Sequence, residues 1–283
     1  MKKLLNWILA AILICGASVF ASCTNNISDN PVTPIEPVEP VEPDLNVTKM
    51  IIGRWIVADK DGQPVMTNEK VVLNFISPTK VYVSASIVNN PNIGELWADL
   101  LENDVVISGN KVTVTGQIDE HMTVIEEYTV TDINATEFYA QLKAAVMVDG
   151  TIVDSGEGLS LRFAKVKVDY SASILGLWEG YSTGAEGSEF DDGGSHRWEY
   201  AVDGTYRYYE KVDGLWQQSA NAMNEYFVAG NLLCTRWEDN GVENREWWEI
   251  ESIDYDEMKW TALRQKEDGT TYTATFEMKK VIE

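Results

Sequence analysis

Four segments of this chain recur in the same order about 120 residues later. The segment IIGRWIV at 51–57 recurs as ILGLWEG at 174–180, and both place a glycine two residues before a tryptophan. The other three pairs are VVISGNKVTV (105–114) with YFVAGNLLCT (226–235), YTVTDINATEF (128–138) with WEIESIDYDEM (248–258), and LSLRFAKVKV (159–168) with YTATFEMKKV (272–281). Because the order is kept while the offset drifts from 123 to 113 residues, the sequence predicts a tandem duplication.

Both copies consist of short alternating apolar and polar runs separated by turn residues, which predicts β-strands rather than helices. In the first copy we place eight strands near 51–58, 70–77, 80–87, 104–109, 111–117, 122–131, 135–146 and 158–168. In the second copy they lie near 175–182, 195–202, 205–212, 224–230, 232–238, 244–252, 257–265 and 270–281. Eight strands in an antiparallel meander avoid exposed edges by closing into a barrel. The segment 90–103 is the one passage predicted to hold a short helix.

The first strand of each copy carries Gly-x-Trp, as Gly53 with Trp55 and as Gly176 with Trp178. On an eight-stranded up-and-down barrel this motif resembles the signature of the lipocalins. The whole of 50–283 is similar to the lipocalin-like (calycin-type) domains of bacterial lipoproteins. The resemblance implies an all-β fold of two tandem barrels, in which the tryptophan plugs the closed end. It also implies that the open end takes a small hydrophobic ligand.

One further residue of the lipocalin pattern can be placed in the first copy alone. In that family an arginine near the last strand stacks on the signature tryptophan, and Arg162 is its match here. Thr275 stands at the corresponding position of the second copy. Each copy is also shorter than a typical lipocalin, so the resemblance supports the fold better than it supports ligand binding.

The first 22 residues are predicted to be a lipoprotein signal peptide, since two lysines precede an apolar run that is short for a membrane span. The segment Ala21-Ser22-Cys23 resembles the lipobox of bacterial lipoproteins, in which the cysteine is lipidated and becomes the first residue of the mature chain. Thr24 follows where lipoproteins of the inner membrane usually have aspartate, which favours the outer membrane. The alternative is a cleaved signal peptide and a freely secreted protein.

The rest of the chain divides into a tether and two domains. Residues 23–49 are predicted to be the lipidated cysteine and a linker rich in proline and glutamate, a composition that favours an extended polyproline path. The barrels are predicted at 50–168 and 174–283. Because only DYSASI (169–174) joins them, and a closed barrel has its own core, we predict that residues 172–283 fold alone.

Charge and cysteine content exclude several classes of function. The chain has 22 basic and 45 acidic residues. Removal of the signal peptide makes the formal charge more negative, from −23 to about −25. Such a surface repels phosphate backbones, so nucleic acid is excluded as a partner, and the membrane must be bound through lipid. Solubility is the favoured interpretation of the acids, with binding of a cation or a basic ligand as the alternative. Cys234, the one cysteine left in a lipidated mature chain, is predicted to be buried as an apolar residue.

The sequence offers little for catalysis. His121 and His196 are the only histidines, one in each copy, which disfavours zinc sites with paired histidines and Ser-His-Asp chemistry. Both are predicted to lie on strand surfaces. The acidic segment EFDDGGSH (189–196) lacks the alternating acids of an EF-hand and is predicted to be a flexible loop rather than a calcium site. We therefore predict no enzymatic activity, no cofactor and no bound metal.

Aromatic residues concentrate in the second copy, which holds seven of the ten tryptophans. A three-residue loop closed by Gly204 in the left-handed region would place Trp198, Tyr200, Tyr206 and Tyr208 on one face. A two-residue Asp-Gly turn would instead group the first two with Arg207 and Tyr209. We prefer the first register because the same phase groups four apolar residues in the first copy: Leu73, Phe75, Val81 and Val83. The predicted ligand-binding residues are Trp198, Tyr200, Tyr206, Tyr208, Trp216 and Trp237.

These observations predict a lipid-anchored envelope protein that binds a small hydrophobic or amphipathic ligand without catalysis, within the second barrel. The first alternative is a surface module that stacks exposed tryptophan and tyrosine rings on a glycan. Rings that point into the barrel favour the cavity, whereas rings that point outward favour the glycan-binding module. The second alternative is a lipoprotein that binds or inhibits another protein through a barrel rim or edge. An enzyme has the least support.

Overall fold

The computed structural model describes residues 46–90, 94–117, 120–184 and 194–282. Within these ranges the chain is all-β and forms two antiparallel sheets of nine strands each. One helical turn, α1 (Val47–Met50), precedes the first sheet, and a short 3₁₀ turn spans Thr67–Glu69. The predicted signal peptide, the lipidation site Cys23, the linker up to residue 45 and residues 189–193 of the acidic segment lie outside the described residues.

The first sheet is a closed barrel of eight strands. Its first strand pairs with both the next long strand and the last one, which closes the meander. The two-residue strand β2 adds only a short extension to β1. The strands are β1 (Gly53–Lys60), β2 (Gln63–Pro64), β3 (Val71–Ser77), β4 (Lys80–Asn90), β5 (Gly94–Ser108), β6 (Lys111–Gln117), β7 (Met122–Ile133), β8 (Glu137–Val148) and β9 (Thr151–Lys165).

The second sheet is curled but not closed by a continuous ladder. Its first and last strands pair as in the first sheet, but the order runs β13-β12-β11-β10-β18-β17-β16-β15-β14. The strands are β10 (Gly176–Gly184), β11 (His196–Tyr200), β12 (Tyr206–Val212), β13 (Leu215–Gln218), β14 (Ala222–Ala229), β15 (Leu232–Asp239), β16 (Val242–Asp254), β17 (Glu257–Gln265) and β18 (Thr271–Lys280). The seam between β12 and β14 is bridged by an isolated pair, Thr205 with Glu225, and by the Tyr226 amide, which donates to the Gly204 carbonyl at 2.8 Å.

The predicted all-β fold of two consecutive barrel-like sheets is confirmed, and the second sheet departs from a closed eight-stranded barrel only at this seam. The reason is an additional hairpin: β12 turns back at Asp213 and Gly214, and Val212 pairs with Leu215 in β13. The third strand of this copy therefore pairs with its own continuation instead of with β14. All sixteen predicted strands are present in the described residues, and the short strands β2 and β13 are added to them.

The short helix predicted at 90–103 is wrong. Residues 94–108 form the long strand β5, in which Leu96 and Ala98 are buried and pair with Ile87 and Ala85 of β4. The local composition favours a helix, but pairing with β4 and burial of alternate side chains decide the outcome. Leu100 has a positive φ at the point where the register shifts.

The Gly-x-Trp motif performs the same local role in both sheets. The indole Nε1 of Trp55 donates to the Ile51 carbonyl at 2.5 Å, and that of Trp178 donates to the Ile174 carbonyl at 2.6 Å. Both indoles are fully buried. Each tryptophan thus fixes the turn that precedes its strand and fills the end of the sheet beneath it.

The cation over each signature tryptophan is a lysine, which corrects the prediction for Arg162. Lys165 pairs directly opposite Trp55, and its Nζ lies 3.9 Å from the ring centroid. In the second sheet Lys280 Nζ lies 5.0 Å from the Trp178 centroid. Arg162 lies farther from the barrel end and pairs instead with the Asp59 carboxylate.

The path of the lysine also explains the glycine of the motif. Gly53 has a φ of 115°, in the region that favours glycine. A Cβ at this position would lie 2.6 Å from Lys165 Nζ, which donates to the Ile52 carbonyl at 2.7 Å.

Glu126 on β7 is a carboxyl group in the core of the first barrel and is 1 % exposed. Its Oε2 accepts a hydrogen bond from the Tyr128 hydroxyl at 3.0 Å, while its Oε1 has no partner in the described structure. The residues paired with it across β6 and β8 are Val114 and Ala144, and neither is charged. Burial therefore raises the pKa of Glu126 to about 7.

We expect Glu126→Gln to stabilise the protein at pH 8 by about 2 kcal/mol, because the native state no longer holds a desolvated carboxylate. A raised pKa means that the native state binds the proton more tightly, so wild-type stability falls as pH rises from 4.5 towards about 7. The variant should lose this part of the pH dependence. Urea unfolding at pH 5 and pH 8 measures it, with Glu127→Gln on the barrel exterior as the control. Equal pH dependence in Glu126→Gln and wild type would contradict the burial argument.

A third apolar cluster lies between the two sheets. Its buried members come from β1 and β3 in the first sheet and from β14 and β15 in the second: Ile56, Val72, Phe227, Ala229, Leu232 and Cys234. Trp97 and Trp247 pack against them, and the Trp97 ring meets Phe227 edge-on at 4.9 Å. Cys234 is buried as an apolar residue, as predicted, and burial raises the pKa of its thiol.

Polar contacts reinforce this interface between the sheets. The indole Nε1 of Trp247 donates to the Ser86 carbonyl at 2.8 Å. Nη1 of Arg245 donates to the carbonyls of Ile87 at 2.8 Å and of Leu96 at 2.6 Å. The Arg245 side chain is only 4 % exposed, so its hydrogen bonds are shielded from water.

The interface modifies the prediction that the copies need no neighbour. Each sheet encloses an apolar cluster of its own, as expected for separate cores. An isolated second sheet, however, would expose the apolar side chains of Phe227, Leu232 and Cys234, which the first barrel covers. That residues 172–283 fold alone stays a prediction, and the interface predicts that they are less stable alone than in the whole chain.

Candidate functional site

The hairpin of β11 and β12 positions one wall of an aromatic cavity. Tyr200 pairs with Tyr206 and Trp198 pairs with Tyr208, so the predicted register is confirmed. Gly204 has a φ of 81°, and the Asp203 carboxylate accepts hydrogen bonds from both the amide and the hydroxyl of Thr205. This turn chemistry fixes the loop and places all four rings on the inner face of the sheet.

The opposite wall comes from β15 to β17, with Asn221 just before β14, and borders a cavity of about 310 Å³ together with that hairpin. The lining residues are Trp198, Tyr200, Tyr206, Tyr208, Glu210, Asn221, Thr235, Trp237, Glu246, Trp248 and Trp260. Five of the six residues predicted to bind ligand therefore lie together. The structure shows where these side chains lie, and binding by them remains a proposal.

Trp216 is the predicted residue that does not line the cavity. It lies on the edge strand β13, where the Arg197 guanidinium stacks 4.2 Å from its ring centroid and Lys211 Nζ lies 5.4 Å away. These two cationic side chains pack against the Trp216 ring on the outside of the sheet. The extra hairpin that forms β13 accounts for the misplacement.

Six lining residues were not predicted: Glu210, Asn221, Thr235, Glu246, Trp248 and Trp260. Alternation along β16 and β17 signals the last three. On β16 the inward phase that contains Ile250 also contains Trp248 and Glu246. On β17 the phase that contains Met258 also contains Trp260. Period-two alternation counted from either apolar residue would have identified them.

The rings of the walls brace one another by edge contacts. The centroids of Trp198 and Trp260 lie 5.4 Å apart at an interplanar angle of 89°. Trp248 lies 5.3 Å from Trp260, and Tyr226 lies 4.8 Å from Tyr200. Such T-shaped and tilted contacts hold large rings in fixed orientations, so the cavity is preformed.

Two side chains of the wall carry buried polar atoms without a partner among the described residues. They are the Tyr200 hydroxyl and the Trp260 indole Nε1, on side chains that are 2 % and 1 % exposed. Burial raises the pKa of Tyr200 well above its ordinary value, so the hydroxyl stays protonated. By contrast, the hydroxyl of neighbouring Tyr226 donates to the Ala201 carbonyl at 2.7 Å. An unpaired buried donor is costly, and a bound acceptor would remove that cost once the side chains that cover the atom move aside, because each atom exposes less than 1 Å².

Two carboxylates also line the cavity. Glu246 accepts a hydrogen bond from Arg264 Nη2 at 2.6 Å, and the Arg264 guanidinium lies 4.5 Å from the Trp248 ring centroid. Burial raises the pKa of Glu246 to about 8, opposed by a hydrogen bond from the Trp247 amide, and burial lowers the pKa of Arg264 to about 10. Glu210 lies at the exposed end of the lining.

His196 is not on the strand surface, which corrects its predicted position. It is 6 % exposed and lies on the inner face of β11, two residues before Trp198. Its Nδ1 lies 2.7 Å from the Tyr208 hydroxyl, and this hydrogen bond orients one ring of the cavity wall. His121, in contrast, is exposed as predicted and lies beside Asp149, but it stands in the bend before β7 rather than on a strand.

In the described residues no group of three or more histidine, cysteine, aspartate or glutamate side chains is arranged to hold a metal ion. The helices found in the described ranges do not include one long and apolar enough to span a membrane.

No protein-family model and no curated protein matches this chain. Among solved structures it is similar to a putative AttH from Nitrosomonas europaea, with 9% sequence identity, 81% of this chain and 92% of that chain covered, and a TM-score of 0.23. It is also similar to a tryptophan-to-alanine mutant of the vaccine antigen transferrin-binding protein B from Haemophilus parasuis Hp5, with 7% identity and a TM-score of 0.24. That match covers 80% of this chain and 64% of the other, so the chain spans less than two thirds of that protein. Likenesses at these TM-scores carry no argument about function.

Proposed function

We propose that this chain is a non-catalytic, lipid-anchored binding protein of the cell envelope that holds a small amphipathic molecule inside its second sheet. The observation that carries the proposal is the aromatic cavity of about 310 Å³ whose wall contains two unpaired buried polar atoms, Tyr200 Oη and Trp260 Nε1. Apolar walls with a few convergent polar groups are the usual composition of a small-molecule site.

The direction of the rings supports an internal cavity over the glycan-binding alternative. Trp198, Tyr200, Trp248 and Trp260 are all buried, and their rings pack against one another within the curled sheet. A module that stacks on sugars from the surface would present such rings to solvent. The ligand therefore enters the sheet rather than lying across it.

Tyr200→Phe tests the cavity with little disturbance of packing. We expect the free protein to become more stable by up to about 1 kcal/mol, because an unpaired buried hydroxyl is removed. We expect the affinity for prodan, a neutral fluorescent probe with a carbonyl acceptor, to fall about fivefold because a donor is lost. Fluorescence titration and urea unfolding measure the two effects.

Tyr226→Phe is the matched control, because its hydroxyl already donates to the Ala201 carbonyl. This variant should lose about 1 kcal/mol of stability. Its prodan affinity should stay close to that of wild type. If wild type binds no prodan, or if Tyr200→Phe loses stability as Tyr226→Phe does, the cavity is a filled core and the proposal fails.

The anchor is tested at Cys23, the residue of the lipobox resemblance. Acyl chains on this cysteine would hold the mature protein to the membrane. We expect Cys23→Ala to move the protein from the membrane fraction to the soluble envelope fraction of its host. The control is Cys234→Ala, which should leave the partitioning unchanged. Unaltered membrane partitioning of Cys23→Ala would refute the anchor.

A further inference from the structure

The charge around the cavity is unbalanced towards acid. Among the described residues that line it, Glu210 and Glu246 are carboxylates and none is basic. Arg264, just outside the lining, already forms an ion pair with Glu246 at 2.6 Å. Glu210 has no ion-pair partner in the described part of the chain. It follows Tyr206 and Tyr208 on the inward phase of β12, so its carboxylate is the one left for a ligand.

The aromatic wall offers a second feature that suits a positive charge. The faces of indole and phenol rings carry negative electrostatic potential and attract cations. The wall already shows this property, because the Arg264 guanidinium lies 4.5 Å from the Trp248 ring centroid. Trp198, Trp237 and Tyr208 are further aromatic residues of the lining.

The two unpaired polar atoms of the wall require a hydrogen-bond acceptor rather than a positive charge. Trp260 Nε1 is a donor only, and it is buried without a partner in the described structure. The Tyr200 hydroxyl is in the same situation. A ligand that displaces the side chains covering these donors would satisfy them with an uncharged acceptor such as a hydroxyl or carbonyl oxygen.

We infer that the ligand of this cavity is a small organic cation, an amine or a quaternary ammonium, that also carries an uncharged hydrogen-bond acceptor. This inference rests on the proposed function and specifies its ligand class. The formal charge of −23 on the whole chain raises the local concentration of such cations. An anionic amphiphile such as a fatty acid would instead meet Glu210 and no basic side chain of the lining.

Three compounds of one shape test the inference by isothermal titration calorimetry on the full chain. They are (4-hydroxyphenyl)trimethylammonium, the uncharged isostere 4-tert-butylphenol, and the anion 4-tert-butylbenzoate. We expect the cation to bind about tenfold more tightly than the uncharged phenol, which corresponds to one cation–π or ion-pair contact in a partly desolvated site. The anion should bind more weakly than both.

Glu210→Gln identifies the source of the selectivity. It should reduce the advantage of the cation over 4-tert-butylphenol to about twofold while the affinity for the phenol is kept. Glu267→Gln, an exposed acid in the turn before β18, removes the same charge away from the cavity and should keep the full advantage.

Equal binding of the three compounds, or preference for the anion, would overturn the cation inference and leave the proposed function standing. Preference for the cation that survives Glu210→Gln would overturn the role of Glu210 and with it the inference. If none of the three binds but prodan does, the inference alone fails. If prodan also fails to bind, the proposed function fails with it.

Discussion

Replacing Arg245 with alanine is expected to lower the free energy of unfolding by about 3–5 kcal/mol, as loss of one partner from a buried charged network does. Arg245 lies at the interface between the two sheets with 4 % of its side chain exposed. Its guanidinium donates to the carbonyls of Ile87 and Leu96 across the interface and forms an ion pair with Glu243 at 2.6 Å. The alanine variant leaves two carbonyls and a carboxylate without these donors.

Arg245→Ala should change the number of thermal unfolding transitions as well as their midpoint temperature. Because Arg245 joins β16 of the second sheet to β4 and β5 of the first, its loss weakens the coupling between the sheets. Differential scanning calorimetry should then resolve two transitions where wild type shows one. The control is Arg207→Ala, whose ion pair with Glu199 is exposed and should contribute about 1 kcal/mol or less. Equal small losses for the two arginines would show that the interface does not stabilise the chain.

Replacing Trp178 with alanine is expected to lower the free energy of unfolding by about 3–5 kcal/mol, the usual range for a fully buried tryptophan. The indole is completely buried, donates to the Ile174 carbonyl at 2.6 Å and lies under Lys280. The variant leaves a void at the end of the sheet and an unpaired carbonyl. Urea unfolding followed by circular dichroism measures the loss.

Two further variants separate the contributions of Trp178. Trp178→Phe keeps most of the ring volume but loses the hydrogen bond, so it should cost less than the alanine variant. Trp216→Ala removes a tryptophan from the edge strand β13, where the ring is not part of the core, and should cost about 1 kcal/mol or less. A loss at Trp178 no greater than at Trp216 would contradict the role given to the Gly-x-Trp motif.

Much of the site followed from alternation and turn chemistry. The Asp203-Gly204 loop, read with the phase of Leu73 and Val81 in the first copy, predicted that Tyr200 faces Tyr206, and the structure confirms that register. The same alternation, extended two residues back from Trp198, would also have placed His196 inside.

Other features depend on contacts that no local pattern reports. Strand alternation predicts that Ile56, Val72 and Leu232 face solvent, because their neighbours along the strand face the core. In the structure they meet at the interface between the sheets. The prediction that Trp216 lines the cavity fails because the Val212–Leu215 hairpin, which has no counterpart among the predicted strands, places it on the edge strand β13. The cation over Trp55 depends on cross-strand register, which selects Lys165 over Arg162.

A crystal structure of the full chain grown with prodan would show whether the cavity of the second sheet is a binding site. We expect probe density between Trp198, Trp237 and Trp260, with the probe carbonyl within hydrogen-bond distance of Trp260 Nε1 or the Tyr200 hydroxyl. Probe density on the outer surface, with only ordered water or repacked side chains in the cavity, would contradict this expectation.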